Sequence, residues 1–185
     1  MASPSRGGRS TGNHAVRVVD LDGGDVTTLA GVGDPGDFGD LGPAAAALFN
    51  GPEGVAAARG VLYVSDTQNH RVRAIEDSIV TTVLGEGSAA STGEGAPASA
   101  LPVDSPRGLA VDAHGNLFVA SRTAVREVLA EAGRVTGASA VVTIFGAPPR
   151  AGLSSSTNCI TGVDVEGDDV LVTDACRNML VRLHR

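Results

Sequence analysis

Residues 26 to 56 lie over residues 80 to 110 at an offset of 54 with no gap. Thr27, Thr28, Gly31, Gly33, Gly39, Pro43, Ala44, Pro52 and Gly54 fall on Thr81, Thr82, Gly85, Gly87, Gly93, Pro97, Ala98, Pro106 and Gly108. Self-similarity of this period constrains the fold more than composition can, because a unit too small to bury its own apolar face must stack on copies of itself. A third copy is looser. Gly162 takes the place of Gly108, and GVDVEGDDVLVTD (162–174) lies over GLAVDAHGNLFVAS (108–121) with one residue deleted, while GVAAARGVLYVSD (54–66) is the same phrase again.

Each phrase has a glycine, a short apolar run, a turn of Gly, Asp or Asn, and a second apolar run, which predicts a β-hairpin. Alternating segments follow it, VRVVDL, VRAIED, VREVLA and VRLHR, starting at Val16, Val72, Val125 and Val181. Then come the β-branched runs VTTLAG, IVTTVLG and VVTIFG. Runs of about 4 to 6 residues suit strands and are too short for helices. PAAAALF (43–49) is the one candidate for a helical turn, and its counterpart PASALPV is interrupted by Pro102.

Four short strands recurring every 54 or so residues predict an all-β fold made of antiparallel β-propeller blades, with the first strand of each blade at the central channel. Two strands are expected in 12–31, four in 54–85, four in 108–146 and three in 160–185, after a disordered segment over 1–11. That is about three blades, whereas closed rings need at least about 16 strands. A fragment of a longer propeller is the favoured expectation, since the strand that should precede TGNH is absent. The alternatives are an open arc and a homodimer whose two chains complete a six-bladed ring, with residues 26–31 supplying an outer strand to the other chain.

The segment FNGPEGVAAARGVLYVSDTQNHRVRAIE (49–76) closely resembles the NHL-repeat propeller pattern of Pro-x-Gly, hydrophobic strand, turn, Tyr-Val-x-Asp and Asn-His-x-Val-Arg. The likeness extends to SPRGLAVDAHGNLFVAS (105–121) and to the glycine-rich loop before ALFNGP, as in long bacterial versions of the repeat. The third copy reads ASRTAVREV, two residues short of an Asn-His pair, and in the fourth Arg177 stands where Asn69 would be. Propellers of this kind include lyases that bind zinc and calcium-dependent lactonases, which use inward-pointing His, Glu or Asn. The resemblance therefore implies, as an alternative function, a fragment or half-ring of such an enzyme with a metal in the channel.

Read as residues, Asp66 and Asn69 are expected to fold onto nearby backbone amides and close the turn that includes His70. Gly54, Gly108 and Gly162 are expected to permit close backbone approach. Val72 and Ala74, two apart, should face a neighbouring blade. His14 and His70 hold the same place in successive copies and are expected on one face. The loop GDPGDFGD sets Asp34, Asp37 and Asp40 at a spacing of three among glycines, which is either a calcium loop or a solvated linker.

If Val165 pairs with Val170 across the turn from Glu166 to Asp169, the same register sets Cys159 opposite Cys176. A disulfide there implies an exported or periplasmic protein, although MASPSRGGRS has no apolar core of a signal peptide behind its arginines. The net charge of −7 comes without any basic cluster, which argues against nucleic acid, and no apolar run approaches a membrane span. No Ser/His/Asp order, phosphate loop or carboxylate pair can be placed with a reason. The functional expectation is a non-catalytic binding or interaction scaffold, with no cofactor predicted, whose long linking loops meet a protein or small-ligand partner.

Overall fold

Runs of valine, threonine and isoleucine bounded by glycine, aspartate and serine become strands, because β-branched side chains fit a pleated surface and the turns need residues that tolerate them. The computed structural model describes residues 13–90, 93, 95–146 and 159–184. Among these the strands are β1 Val16–Val19, β2 Val26–Ala30, β3 Pro52–Ala58, β4 Val61–Asp66, β5 Arg71–Glu76, β6 Ile79–Leu84, β7 Leu109–Val111, β8 Leu117–Ala120, β9 Ala124–Val128, β10 Val141–Gly146, β11 Ile160–Glu166, β12 Asp169–Asp174 and β13 Met179–His184. They pair antiparallel in chain order as sheets of two, four, four and three strands, the partition read from the sequence. The chain is an all-β incomplete propeller, its sheets here called the first to fourth blades. The segment expected to be disordered, 1–11, lies outside the described residues.

Every strand has two faces, and each interior blade uses both. In β8, Leu117 and Val119 enter the core shared with the second blade, while Phe118 and Ala120 enter the core shared with the fourth. β5 behaves likewise: Val72 and Ala74 face the third blade and Ile75 faces the first. Three cores therefore lie between blades rather than within them, which explains why β8 is buried at all four positions. Each fully buried aliphatic or aromatic side chain contributes roughly 1.5–3 kcal/mol.

The blades share a local device. Val16, Val72 and Val125 each begin a bulge before an arginine, and Arg17, Arg73 and Arg126 pair across the strand with Thr28, Thr82 and Thr143. Just beyond, Gly31, Gly85 and Gly146 hold φ of 93°, 101° and 99°. A Cβ there would strike the backbone of residues 14–15, 70–71 and 123–124. Both the left-handed backbone and the lack of space require glycine.

The linkers are ordered by the blades they join. Gly31 and Gly85 N–H donate to Ala44 and Ala98 carbonyls (2.9 and 3.1 Å), and Ala44 and Ala98 N–H donate in turn to Ser78 and Ser139 carbonyls of the following blade (2.7 and 3.0 Å). Ala44–Ala46 and Ala98–Ala100 each form one 3-10 turn. Pro102 follows the second turn and does not interrupt it. The first linker then runs along β6, with Leu41 N–H donating to the Val80 carbonyl (2.7 Å) and Val80 N–H to the Gly42 carbonyl (3.0 Å).

Candidate functional site

The polar residues of the repeated phrase meet at the end of β4. Asp66 ends that strand, Thr67–Asn69 make a single 3-10 turn closed by a bond from His70 N–H to the Thr67 carbonyl (3.2 Å), and His70 is left-handed at φ 54°. The turn thus satisfies itself, which frees the side chains for longer reach. Asp66 Oδ1 accepts the Asn50 N–H (2.7 Å), and Asn69 Nδ2 donates both to Asp66 Oδ2 (2.8 Å) and to the Gly36 carbonyl (2.6 Å). The reading of these two residues as local turn closers is corrected: their backbone partners are 16 and 33 residues away, in the incoming linker.

His70 makes the opposite connection. Its Nδ1 accepts the Ser105 N–H of the outgoing linker (3.1 Å), and His14 Nδ1 accepts the Gly51 N–H at the same distance. Both rings therefore carry their proton on Nε2 when neutral. Each histidine fixes the chain just ahead of the next blade's inner strand.

At the centre lies Arg73, a residue the sequence reading did not single out. It is fully buried, and its guanidinium reaches Asp40 through Nε (3.0 Å) and Nη2 (2.8 Å), Asp66 through Nη1 (3.4 Å), and the Phe49 ring face at 5.5 Å. Thr82 Oγ1 donates to the other oxygen of Asp40 (2.6 Å). Burial pushes the Asp66 carboxyl above the ordinary carboxylate range, opposed by the Asn50 amide, by Asn69 and by Arg73. A signal was present: an arginine recurs after the same valine in three copies, inside strands that are otherwise mostly apolar.

The acidic loop is divided among these contacts. Asp40 is held by Arg73 and Thr82, Asp37 pairs with Arg71 (3.5 Å), and Asp34 is exposed. Among the described residues no three His, Cys, Asp or Glu side chains gather in a way that could hold a metal ion. The histidine pair likewise lies in the linker contacts.

The other blades vary the theme. In the third, Ser121 stands in place of Asp66, and the buried Arg126 donates to the Pro102 carbonyl of its incoming linker (2.6 Å). In the fourth, Asp174 Oδ1 accepts the N–H groups of Cys159 and Cys176 (both 3.1 Å), and Arg177 lies 3.8 Å from its other oxygen. Asn178, at φ 52°, takes the left-handed place of His70. Asp174 pairs with Met179 as Asp66 pairs with Arg71, so Leu180 rather than Val181 corresponds to Val72. Farther along, Asp169 is bonded by Arg182 Nε (2.8 Å) and faces His184 Nδ1 (2.9 Å). The Arg182 bond, then His184, holds the Asp169 carboxyl below its ordinary range.

Cys159 and Cys176 are joined by a disulfide, with their Cα atoms 5.1 Å apart. Val165 pairs with Val170, but a bulge between Ile160 and Gly162 slips the register by one, so Ile160 faces Asp174 and the bridge runs diagonally. Such bonds persist in oxidising compartments. Gly54, Gly108 and Gly162 lie where inner strands meet: a Cβ on Gly54 would collide with the Arg107 carbonyl, and one on Gly108 would lie 2.8 Å from the Gly162 Cα. Ser65 and Thr67 hydroxyls fasten the same seam by donating to the Arg107 and Pro106 carbonyls (both 2.7 Å).

Comparison with known proteins agrees with this construction. The NHL repeat family matches residues 49–75, the span from Phe49 through Asp66, Asn69, His70 and Arg73. The chain carries an NHL repeat there. It is 40% identical over 99 residues to NHL repeat-containing protein 2 of Gallus gallus and 35% identical over 99 residues to that of Homo sapiens, covering 52% of this chain in each case. The chain spans about 13% of the length of these curated relatives. Among solved structures, the blades superpose on a structural genomics protein of unknown function from Bacteroides thetaiotaomicron VPI-5482 (TM-score 0.67, 16% identity, 93% of this chain and 42% of that one). They also superpose on an auxiliary nutrient binding protein from the same organism (TM-score 0.65, 11% identity, 92% and 42%). A protein provisionally described as a gluconolactonase gives a TM-score of 0.58 at 15% identity, over 88% of this chain and 51% of that one. At such identities the likeness is one of fold.

Proposed function

We propose that this NHL-repeat chain is a non-catalytic binding scaffold, in which rigid blades hold long linkers in place for a partner. One observation carries the reading: the polar side chains of the repeat are engaged in joining linker to blade. His14 and His70 bond backbone N–H groups, Asn69 bonds the Gly36 carbonyl, and Asp40 and Asp66 flank Arg73. A propeller enzyme instead sends such groups toward its channel. The inner strands here, PEGVAAA, LAV and ITGVDVE, are chiefly small and apolar.

The disulfide supports placing the scaffold in an oxidising compartment. Elemental analysis of the purified chain tests the functional reading. The scaffold predicts zinc and calcium well below one equivalent per chain; a full equivalent that survives gel filtration would sink it in favour of a metal-dependent propeller enzyme.

A further inference from the structure

Asn50 and Gly51 join the first linker to β3, and they are the one Asn-Gly pair in the chain. Such a pair is prone to convert itself, because a glycine nitrogen with no Cβ in the way can close onto the asparagine side-chain carbonyl as a five-membered ring. What limits the closure is the proton on that nitrogen.

Here the proton already points at a base. Gly51 N–H donates to His14 Nδ1 (3.1 Å), within the reach at which a side chain takes up a proton in a reaction. Gly51 is left-handed at φ 58°, and a Cβ on it would strike the Gln68 side chain, so the place is built for glycine. The half-buried Asn50 is held through its backbone: its N–H donates to Asp66 Oδ1 (2.7 Å) and its carbonyl accepts the Gln68 N–H (3.0 Å). Asn69 and Asn116, by contrast, commit their side-chain amides to hydrogen bonds.

The next joint repeats the geometry with different chemistry. Asp104 stands in place of Asn50, and Ser105, left-handed at φ 48°, donates its N–H to His70 Nδ1 (3.1 Å). A carboxylate has no amide to lose, so ring closure there is far slower. The fold accepts a carboxylate at this place, and conversion of Asn50 to aspartate therefore leaves the joint intact. An isoaspartate, with one more methylene in the main chain, instead pulls apart the attachments to Asp66 and His14.

We propose that the peptide between Asn50 and Gly51 is a self-modifying site with His14 as its catalytic base. His14 Nδ1 takes the Gly51 amide proton as the nitrogen bonds to Asn50 Cγ. The bond from Cγ to the side-chain nitrogen breaks, and that nitrogen leaves as ammonia with the proton returned by the imidazolium. Water, the one co-reactant, then opens the succinimide to aspartate or isoaspartate and adds a negative charge at the joint. The isoaspartyl product loosens the hold of the first blade on the second, whatever the linkers bind.

Peptide mapping by mass spectrometry, during incubation of the folded chain at a series of pH values, tests this. Residue 50 is expected to exchange its amide for a carboxyl group and to take one heavy oxygen from labelled water, while Asp104 stays aspartyl. The rate is expected to level off where imidazole is neutral rather than climb in step with hydroxide. His14→Asn keeps an acceptor in the left-handed place that Asn178 holds in the fourth blade. It is expected to slow conversion at least about tenfold with unchanged circular dichroism. A variant that converts as fast as wild type, a wild-type rate that follows hydroxide throughout, or an Asn50 that persists while the urea-unfolded chain converts overturns the proposal. The wild-type pH profile decides even where the variant fails to fold.

Discussion

The phrase TGNHAVRVVD leads into β1 and TQNHRVRAIE into β5, and the two copies meet different fates. Val18 is 47% exposed, whereas Ala74, its counterpart, is 5% exposed. Arg17 lies in solvent, and Arg73 is fully buried between two carboxylates. Both strands form with the same bulge and begin against an equivalent left-handed glycine, Gly31 or Gly85. Local sequence is therefore enough to make the strand and its turn, while burial and charge pairing come from a linker on one side and a neighbouring blade on the other.

The sharpest way to break this comparison is to remove the two arginines separately. Arg73→Ala leaves Asp66 buried without its cation and should cost about 3–5 kcal/mol in urea denaturation, whereas Arg17→Ala should stay within about 0.5 kcal/mol. Equal effects would mean that the clamp around Arg73 has no weight. The fourth blade offers a covalent contrast, because its linker is fastened by Cys159 and Cys176 instead of an asparagine. Closing a loop with a sequence separation of 17 should stabilise by about 3 kcal/mol. Cys159→Ser with Cys176→Ser should lower the urea midpoint accordingly, and a reductant should then have no further effect on that variant.

Leu41 and Gly95 hold one backbone position in successive linkers, left-handed at φ 62° and 87°, and allow a smaller contrast. Leu41→Gly should raise stability by about 1 kcal/mol by relieving the left-handed leucine; a loss would show that the leucine packs in the isolated chain. The finest contrast is one of slope with pH. The Asp66 carboxyl is raised on folding, so its contribution is full below its unfolded pKa and declines as pH rises through the folded value. The Asp169 carboxyl is lowered, so its contribution is present above the unfolded pKa and is lost as pH falls. Stability relative to wild type should therefore climb with pH for Asp66→Asn and fall with pH for Asp169→Asn across the acid range. Matching slopes would contradict the assigned directions.

The strands were legible because their signals are local: alternation in VRAIE, β-branched runs such as IVTTVL, and turns rich in glycine and aspartate. The blades were legible because the repeat places those signals in register. Asp66, Asn69 and His70 were visible as a motif, but their work was not, since it depends on partners at Asn50, Gly36 and Ser105. Arg73 was passed over because an arginine on an apparently amphipathic strand looks like a solvent-facing residue until both faces are covered. The slip beside Ile160 was invisible for a related reason: a bulge inserts one residue into a pattern whose period is two.

The route of the first linker, along β6 and onto Asp66 and Arg73, has a consequence for how such a protein can grow. A duplicated segment of one period carries a sheet and the linker that locks it, wherever in the period the duplication begins. Lengthening the chain by a whole period can then supply each added sheet with a counter-ion and edge cover, so an array of this kind can be extended in steps without redesigning its joints.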